Sequence, residues 1–271
     1  MKEALMKHFP DGNLASKKLP SPGGTATTKF DAAPEGERDQ QHVRRYLSRQ
    51  GSLNWIVSGT GRLDAAVAAH QLSSVMVGPK PSHFMLQNTV FSYLQYSCDM
   101  CLTWNPANSP VRANQLFYYS DGSFAGEQLQ SRMGYVGLLN GGTVSSESKT
   151  AKFMCSGVFD VEEAAACLAS KDIVYRKGFL EELGFPQDNI PVYCDNAATV
   201  LFSASTKITS LNKHILIRGA YTRDLQKQGV ITLIFCPGKL NLADQQTKNL
   251  CGETFYGFLP MYGFVMIPFY P

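Results

Sequence analysis

No uninterrupted apolar run in the 271 residues reaches the roughly 20 that a membrane-crossing helix needs. The first residues place Lys2, Glu3, Lys7 and His8 around a short apolar stripe, which is not the hydrophobic core of a signal peptide. No membrane partner is therefore expected. Charged residues are sparse at 17%, and the net charge of +3 is weak evidence for a polyanionic partner. A nucleic-acid surface on such a chain would have to gather its Lys and Arg on one face. There is no disulfide framework: seven scattered cysteines, an odd number, suit a reducing compartment, hence an intracellular site, cytoplasmic or nuclear. Cys98-Asp99-Met100-Cys101 has the spacing of half a zinc site, but no second pair or His cluster completes it. Internal repeats are also missing.

What is present is a globular composition, 44% hydrophobic, in a chain long enough for one large domain or two small ones. Residues 1–40 read as the end of a helix followed by a linker, partly disordered, with Pro20-Ser21-Pro22-Gly23-Gly24 as a strong breaker. Residues 41–108 read as a small helical region. In it Pro79 and Pro81 separate two helices, and Asn105 to Pro110 makes a second break. The pattern then changes, and residues 112–252 read as a second domain. Residues 115–121, 132–139 and 143–149 predict three strands, the last two joined at Asn140-Gly141-Gly142, a hairpin signal. A helix is expected from about 160 to 183, with acids in its first turn and a stop at Gly184 and Pro186. Strand 190–194, helices 196–204 and 213–228, strand 230–236 and a helix over 240–249 follow. This order predicts an α/β fold with a mixed sheet. Residues 253–271 read as a packed tail, aromatic and Pro-rich.

Four acids stand out by position. Asp121 ends one strand-like run and Asp195 another, while Glu162 lies near the start of the long helix and Asp244 in the segment Asn241-Leu242-Ala243-Asp244. A carboxylate just past a strand end is held by the sheet yet open at its edge, which suits a hard oxygen-seeking cation such as Mg²⁺. Any one of these acids could be an ordinary strand-end carboxylate. The ordered set of four is the signal.

The stretch from Tyr118 to Leu250 resembles the ribonuclease H domain at the C-terminal end of copia-type retrotransposon polymerases. The residues that carry the likeness are Ser120-Asp121-Gly122-Ser123-Phe124-Ala125-Gly126, with Phe124 where the family usually has Trp, Arg132-Met133-Gly134-Tyr135-Val136, Asp195-Asn196, and Pro237 through Lys248 with its Leu-Ala-Asp and Thr-Lys. Thr206-Lys207 and Asn212-Lys213-His214-Ile215 flank a Lys-His-Ile element of the family. Upstream, Tyr46 to Trp55 and Gly61 to Val67 resemble the thumb and connection, and Met1 to Pro10 the last palm helix. The second acidic block departs from the family pattern. It reads Val158-Phe159-Asp160-Val161-Glu162-Glu163, with Glu163 on an aromatic position, so the second acid is Glu162 or Glu163. A paired-aspartate polymerase turn is missing, and the chain is not expected to be a complete reverse transcriptase.

The resemblance implies a ribonuclease H-like mixed five-stranded sheet with flanking helices, preceded by a small helical connection region. It implies hydrolysis of the RNA strand of RNA–DNA hybrids with two Mg²⁺ ions about 4 Å apart, Mn²⁺ being an alternative. Asp121, Glu162, Asp195 and Asp244 would be both catalytic residues and metal ligands. Ser123, Arg132, Asn196 and Lys248 are candidate nucleic-acid contacts, and His214 is left outside the catalytic set. Two other readings stay open. One is a decayed or host-retained retroelement fragment that binds nucleic acid without cutting. The other is an interaction module whose helical region docks a polymerase chain, in a retroelement particle or elsewhere in the cell.

Overall fold

A computed structural model describes residues 2–10, 12, 14–21, 30–124, 130–205, 216–250 and 252–266. The expected breaker at 20–24, residues Thr206-Lys207 and His214 therefore lie wholly or partly outside the described residues. The chain forms two compact units, Met1–Cys101 with Asn249–Leu259 and Phe264–Pro271, and Leu102–Lys248 with Pro260–Gly263.

The first unit is built on helices α1 (Lys2–His8), α2 (Gln40–Gly59), α3 (Ala66–Ser73), α4 (Pro81–Tyr96) and α9 (Gly252–Met261), with a two-stranded ribbon of β1 (Met100–Leu102) and β7 (Phe264–Met266). Asp39 starts α2 by accepting from the Gln41 amide at 2.8 Å, which satisfies one of the free N–H groups of the first turn. Helix α9 was not anticipated, because its Pro and aromatic content reads as a tail. Its Phe255 ring packs edge-on against Tyr93 of α4 at 5.7 Å, so tertiary packing overrides the weak local signal.

The second unit holds a five-stranded sheet in the order β4-β3-β2-β5-β6. Its strands are β2 (Leu116–Ser123), β3 (Arg132–Leu139), β4 (Gly142–Thr150), β5 (Ile190–Cys194) and β6 (Ile231–Phe235). The first three are antiparallel neighbours, while β5 pairs parallel with both β2 and β6. The hairpin forms where Asn140 and Gly141 both take positive φ, 51° and 71°, the backbone that a tight twisted turn demands. A parallel pair needs a crossover, and α5 (Val158–Glu182) supplies it between β4 and β5. Gly184, at φ +86°, ends that helix, with the Phe185 amide returning to the Leu180 carbonyl at 2.9 Å. Between α5 and the sheet lies a core of Tyr118, Val192 and Leu233 from adjacent strands against Ala166, Ala169 and Ile173. Burying a side chain such as Ile173 is worth about 1.5–3 kcal/mol. The remaining helices are α6 (Ala197–Ala204), α7 (Leu216–Lys227) and α8 (Asp244–Thr247). This strand order, with antiparallel β2–β4 and two parallel strands added by helical crossovers, is the ribonuclease H fold.

The expected helix at 240–249 is shorter than the pattern implies. A single 3₁₀ turn at Gly238–Leu240 is followed by the one-turn α8, because Asn241 leaves the helix to bond elsewhere.

Candidate active site

Two close approaches of backbone to backbone bring the site together. A methyl group on Gly122 would lie 2.6 Å from the Val161 carbonyl carbon, so only glycine lets the start of α5 rest on β2. That contact lets Glu162 Oε2 accept the Gly122 amide at 3.1 Å. On the neighbouring strand Gly134 sits opposite Asp121, and a methyl there would meet Gln246 Cβ at 2.5 Å. The second glycine seats α8, and with it Asp244, against the sheet.

Asn241, which sequence reasoning gave no role, ties three segments together. Its buried amide donates to the Ser120 carbonyl at 3.0 Å and to Asp195 Oδ1 at 3.3 Å, while its oxygen accepts the Ala243 amide at 3.1 Å. Strand β2 at the residue before Asp121, the residue after β5 and the turn before Asp244 are thereby fixed to one another. Thr247 of α8 donates its hydroxyl to Asp121 Oδ2. The signal was in the sequence, since an Asn just before Leu-Ala-Asp is a turn residue whose side chain can cap or bridge.

The geometry brings all four expected acids to one edge of the sheet. Oxygens of Asp121, Asp195 and Asp244 lie within 4.8 Å of one another, and Glu162 and Asp195 form a second such group with the Cys194 thiol. Asp121 and Glu162 are buried; Asp195 and Asp244 are half-buried. Burial, then the carboxylates of Asp121 and Asp195, push Glu162 up to about 9. For Asp121 burial is again the largest cause, opposed by Lys248 and reinforced by Asp244 and Asp195, and its carboxyl rises to about 6. Like charges packed at this spacing raise each other's proton affinity. Lys248 Nζ stands 2.7 Å from Asp244 Oδ1 and 3.6 Å from Asp121 Oδ2.

Glu163 goes elsewhere. It is fully buried toward α7, where Gly219 and Arg223 are its neighbours, and neither of its oxygens has a hydrogen-bond partner among the described residues. The geometry thus groups Glu162, and not Glu163, with the other acids. Asp160 instead serves the helix start, its Oδ2 accepting the Ser156 amide at 2.6 Å.

A cavity of about 610 Å³ opens over these groups, lined by Asp121, Ser123, Phe124, Glu162, Asn196 and Lys248 among others. Three of the four candidate nucleic-acid contacts, Ser123, Asn196 and Lys248, line it. Arg132 does not, and its guanidinium reaches the Ser148 hydroxyl at 3.3 Å across the hairpin. The Asn196 oxygen is engaged as the cap of α6, accepting from Ala198 and Thr199. Cys98 and Cys101 join no cluster of metal-binding side chains among the described residues. The carboxylate set fits a hard divalent cation: every acidic donor is an oxygen, and the local negative charge exceeds what one ammonium neutralises.

No protein-family model matches the chain. Over 205 residues, 75% of its length, it is 27% identical to the retrovirus-related Pol polyprotein from transposon TNT 1-94 of Nicotiana tabacum. It is also 32% identical over 132 residues to the secreted RxLR effector protein 161 of Plasmopara viticola, spanning 48% of the chain and 89% of that relative. The chain belongs to the retrotransposon Pol family. This Pol chain spans only 15% of the length of the tobacco polyprotein. Among solved structures, ribonuclease H1 of Halobacterium salinarum NRC-1 aligns with 49% of the Pol chain and 94% of its own, at 18% identity and a TM-score of 0.38.

Proposed function

We propose that this chain is a copia-type ribonuclease H that hydrolyses the RNA strand of RNA–DNA hybrids with divalent metal. One observation carries the reading: Asp121, Glu162, Asp195 and Asp244, from four separate segments, converge at one sheet edge beside an open cavity. These four would hold Mg²⁺, with Mn²⁺ as a substitute. Bound there, such cations activate a water and stabilise the departing 3′-oxygen.

The chain's own residues do the rest. Asn241 and the Gly122 amide orient Asp195 and Glu162 before any ligand arrives, and Thr247 orients Asp121. Such preorganisation removes the cost of arranging acids at the moment of reaction. Ser123 and Asn196 line the cavity, and on this reading they meet the sugar-phosphate backbone, where the 2′-hydroxyl distinguishes RNA from DNA. The helical first unit serves as thumb and connection, the part that would meet a polymerase chain.

The test is incubation of labelled RNA–DNA hybrid with the protein and Mg²⁺. The RNA strand is expected to be cut by wild type and spared by Asp121→Asn. Absence of cleavage above that control overturns the enzyme reading.

A further inference from the structure

Lys248 does more than line the cavity. Its ammonium bonds Asp244 one helical turn back and lies within ion-pair distance of buried Asp121, so it sits on the same carboxylate set whose oxygens, with those of Asp195, lie within 4.8 Å of one another. The other set, Glu162 with Cys194 and Asp195, has no lysine or arginine paired to Glu162 among the described residues. The lysine is also constrained. It caps the one-turn α8, which Gly134 seats on the sheet and Thr247 bonds to Asp121, so its reach is set by a fixed base.

Resting on the ribonuclease H reading, we propose that Lys248 is a tethered cation that fills one of the two cation positions. The free protein then takes a single divalent ion, on the Glu162–Asp195 side. The second ion enters when a phosphate of the hybrid draws the ammonium off Asp121 and Asp244. A divalent ion on the same oxygens would meet the ammonium at about 4 Å, a repulsion worth more than tenfold in affinity even at protein-surface permittivity.

The experiment counts Mn²⁺ bound to the full chain, by calorimetry and by electron paramagnetic resonance of free ion, without nucleic acid. Wild type and Lys248→Arg are expected to take one ion. Lys248→Met should take two, the second at least about tenfold tighter than any second ion in wild type. Adding an uncleavable 2′-O-methyl RNA–DNA hybrid should raise the wild-type count from one to two, a readout that needs no variant. Two ions on free wild type, one ion on a folded Lys248→Met, or a count that stays at one with hybrid each overturns the tether while leaving metal binding intact. No bound Mn²⁺ in any sample overturns the metal-dependent reading itself and the tether with it.

Discussion

Two buried charged groups, one in each unit, are handled in opposite ways. In the helical unit Arg62 and Asp64 are both buried and answer each other. The guanidinium reaches Asp64 through Nε at 2.9 Å and Nη2 at 2.7 Å, and its Nη1 donates to the Ser97 carbonyl at 3.1 Å. Tyr93 donates its hydroxyl to the same carboxylate and presents its ring 5.3 Å from the guanidinium. One cation meets one anion, and the surrounding donors and acceptors are used. In the ribonuclease H unit four acids gather at one sheet edge, and among the described residues Lys248 pairs with two of them, Asp244 and Asp121. A buried pair that closes on itself is architecture; a partly buried acidic cluster that does not close is a candidate functional site.

The largest effect that could break this contrast is on cleavage. If the four acids hold the cations as proposed, Asp195→Asn would remove a metal ligand and no phosphate contact, so hybrid cutting should fall by about a hundred- to a thousandfold, toward the level of the Asp121→Asn control, while hybrid binding in a gel-shift assay is unchanged. Equal cutting by mutant and wild type would remove Asp195 from the catalytic set.

Next in size is the balanced pair. Arg62→Met leaves Asp64 buried with its charge uncompensated, and urea denaturation should show a loss of about 3–5 kcal/mol. A loss below about 1 kcal/mol, as for a surface pair, would mean that the helical unit does not depend on the pairing.

The smallest effect sharpens the contrast within the ribonuclease H unit. Glu163 is buried outside the cluster, and burial, opposed by Arg223, pushes it up to about 8. Between the ordinary glutamate range and that value the native chain keeps a proton that the unfolded chain has lost. Stability should therefore be greatest below the unfolded value and fall as pH rises through about 8. Glu163→Gln should flatten that slope and stabilise the protein at pH above 8 by on the order of 2 kcal/mol, with little change near pH 4. Melting curves across that range check it, and parallel curves for the two proteins would refute it.

Much of the ribonuclease H unit was legible from residues. Asn140-Gly141 announced the hairpin and Gly184 the end of α5, and Asp195 stands just past β5 as expected; β2, however, stays paired with β3 through Ser123, so Asp121 lies inside its strand and not at its end. The choice between Glu162 and Glu163 was not legible, for a physical reason. The stretch from Asp160 to Ala166 is buried on every side, so helical phase does not separate a residue facing the sheet edge from one facing α7. The double pairing of Lys248 was not legible either, because its partners, Asp121 and Asp244, meet only in three dimensions. The one-turn α8 was overestimated, since the bond from Asn241 to Ser120 that interrupts the helix is equally non-local.

The parallel pairing of β2 with β5 carries a consequence for time as well as shape. Asp121 and Asp195 become neighbours only after α5 has crossed the sheet, and Asp244 joins only once β6 has been laid beyond them. Contacts of such long sequence separation form late, because each must first overcome the entropy of closing the intervening loop. A chain emerging during synthesis passes through a stage in which its hairpin exists and its acidic cluster does not. The cluster is thus assembled as one of the last acts of folding.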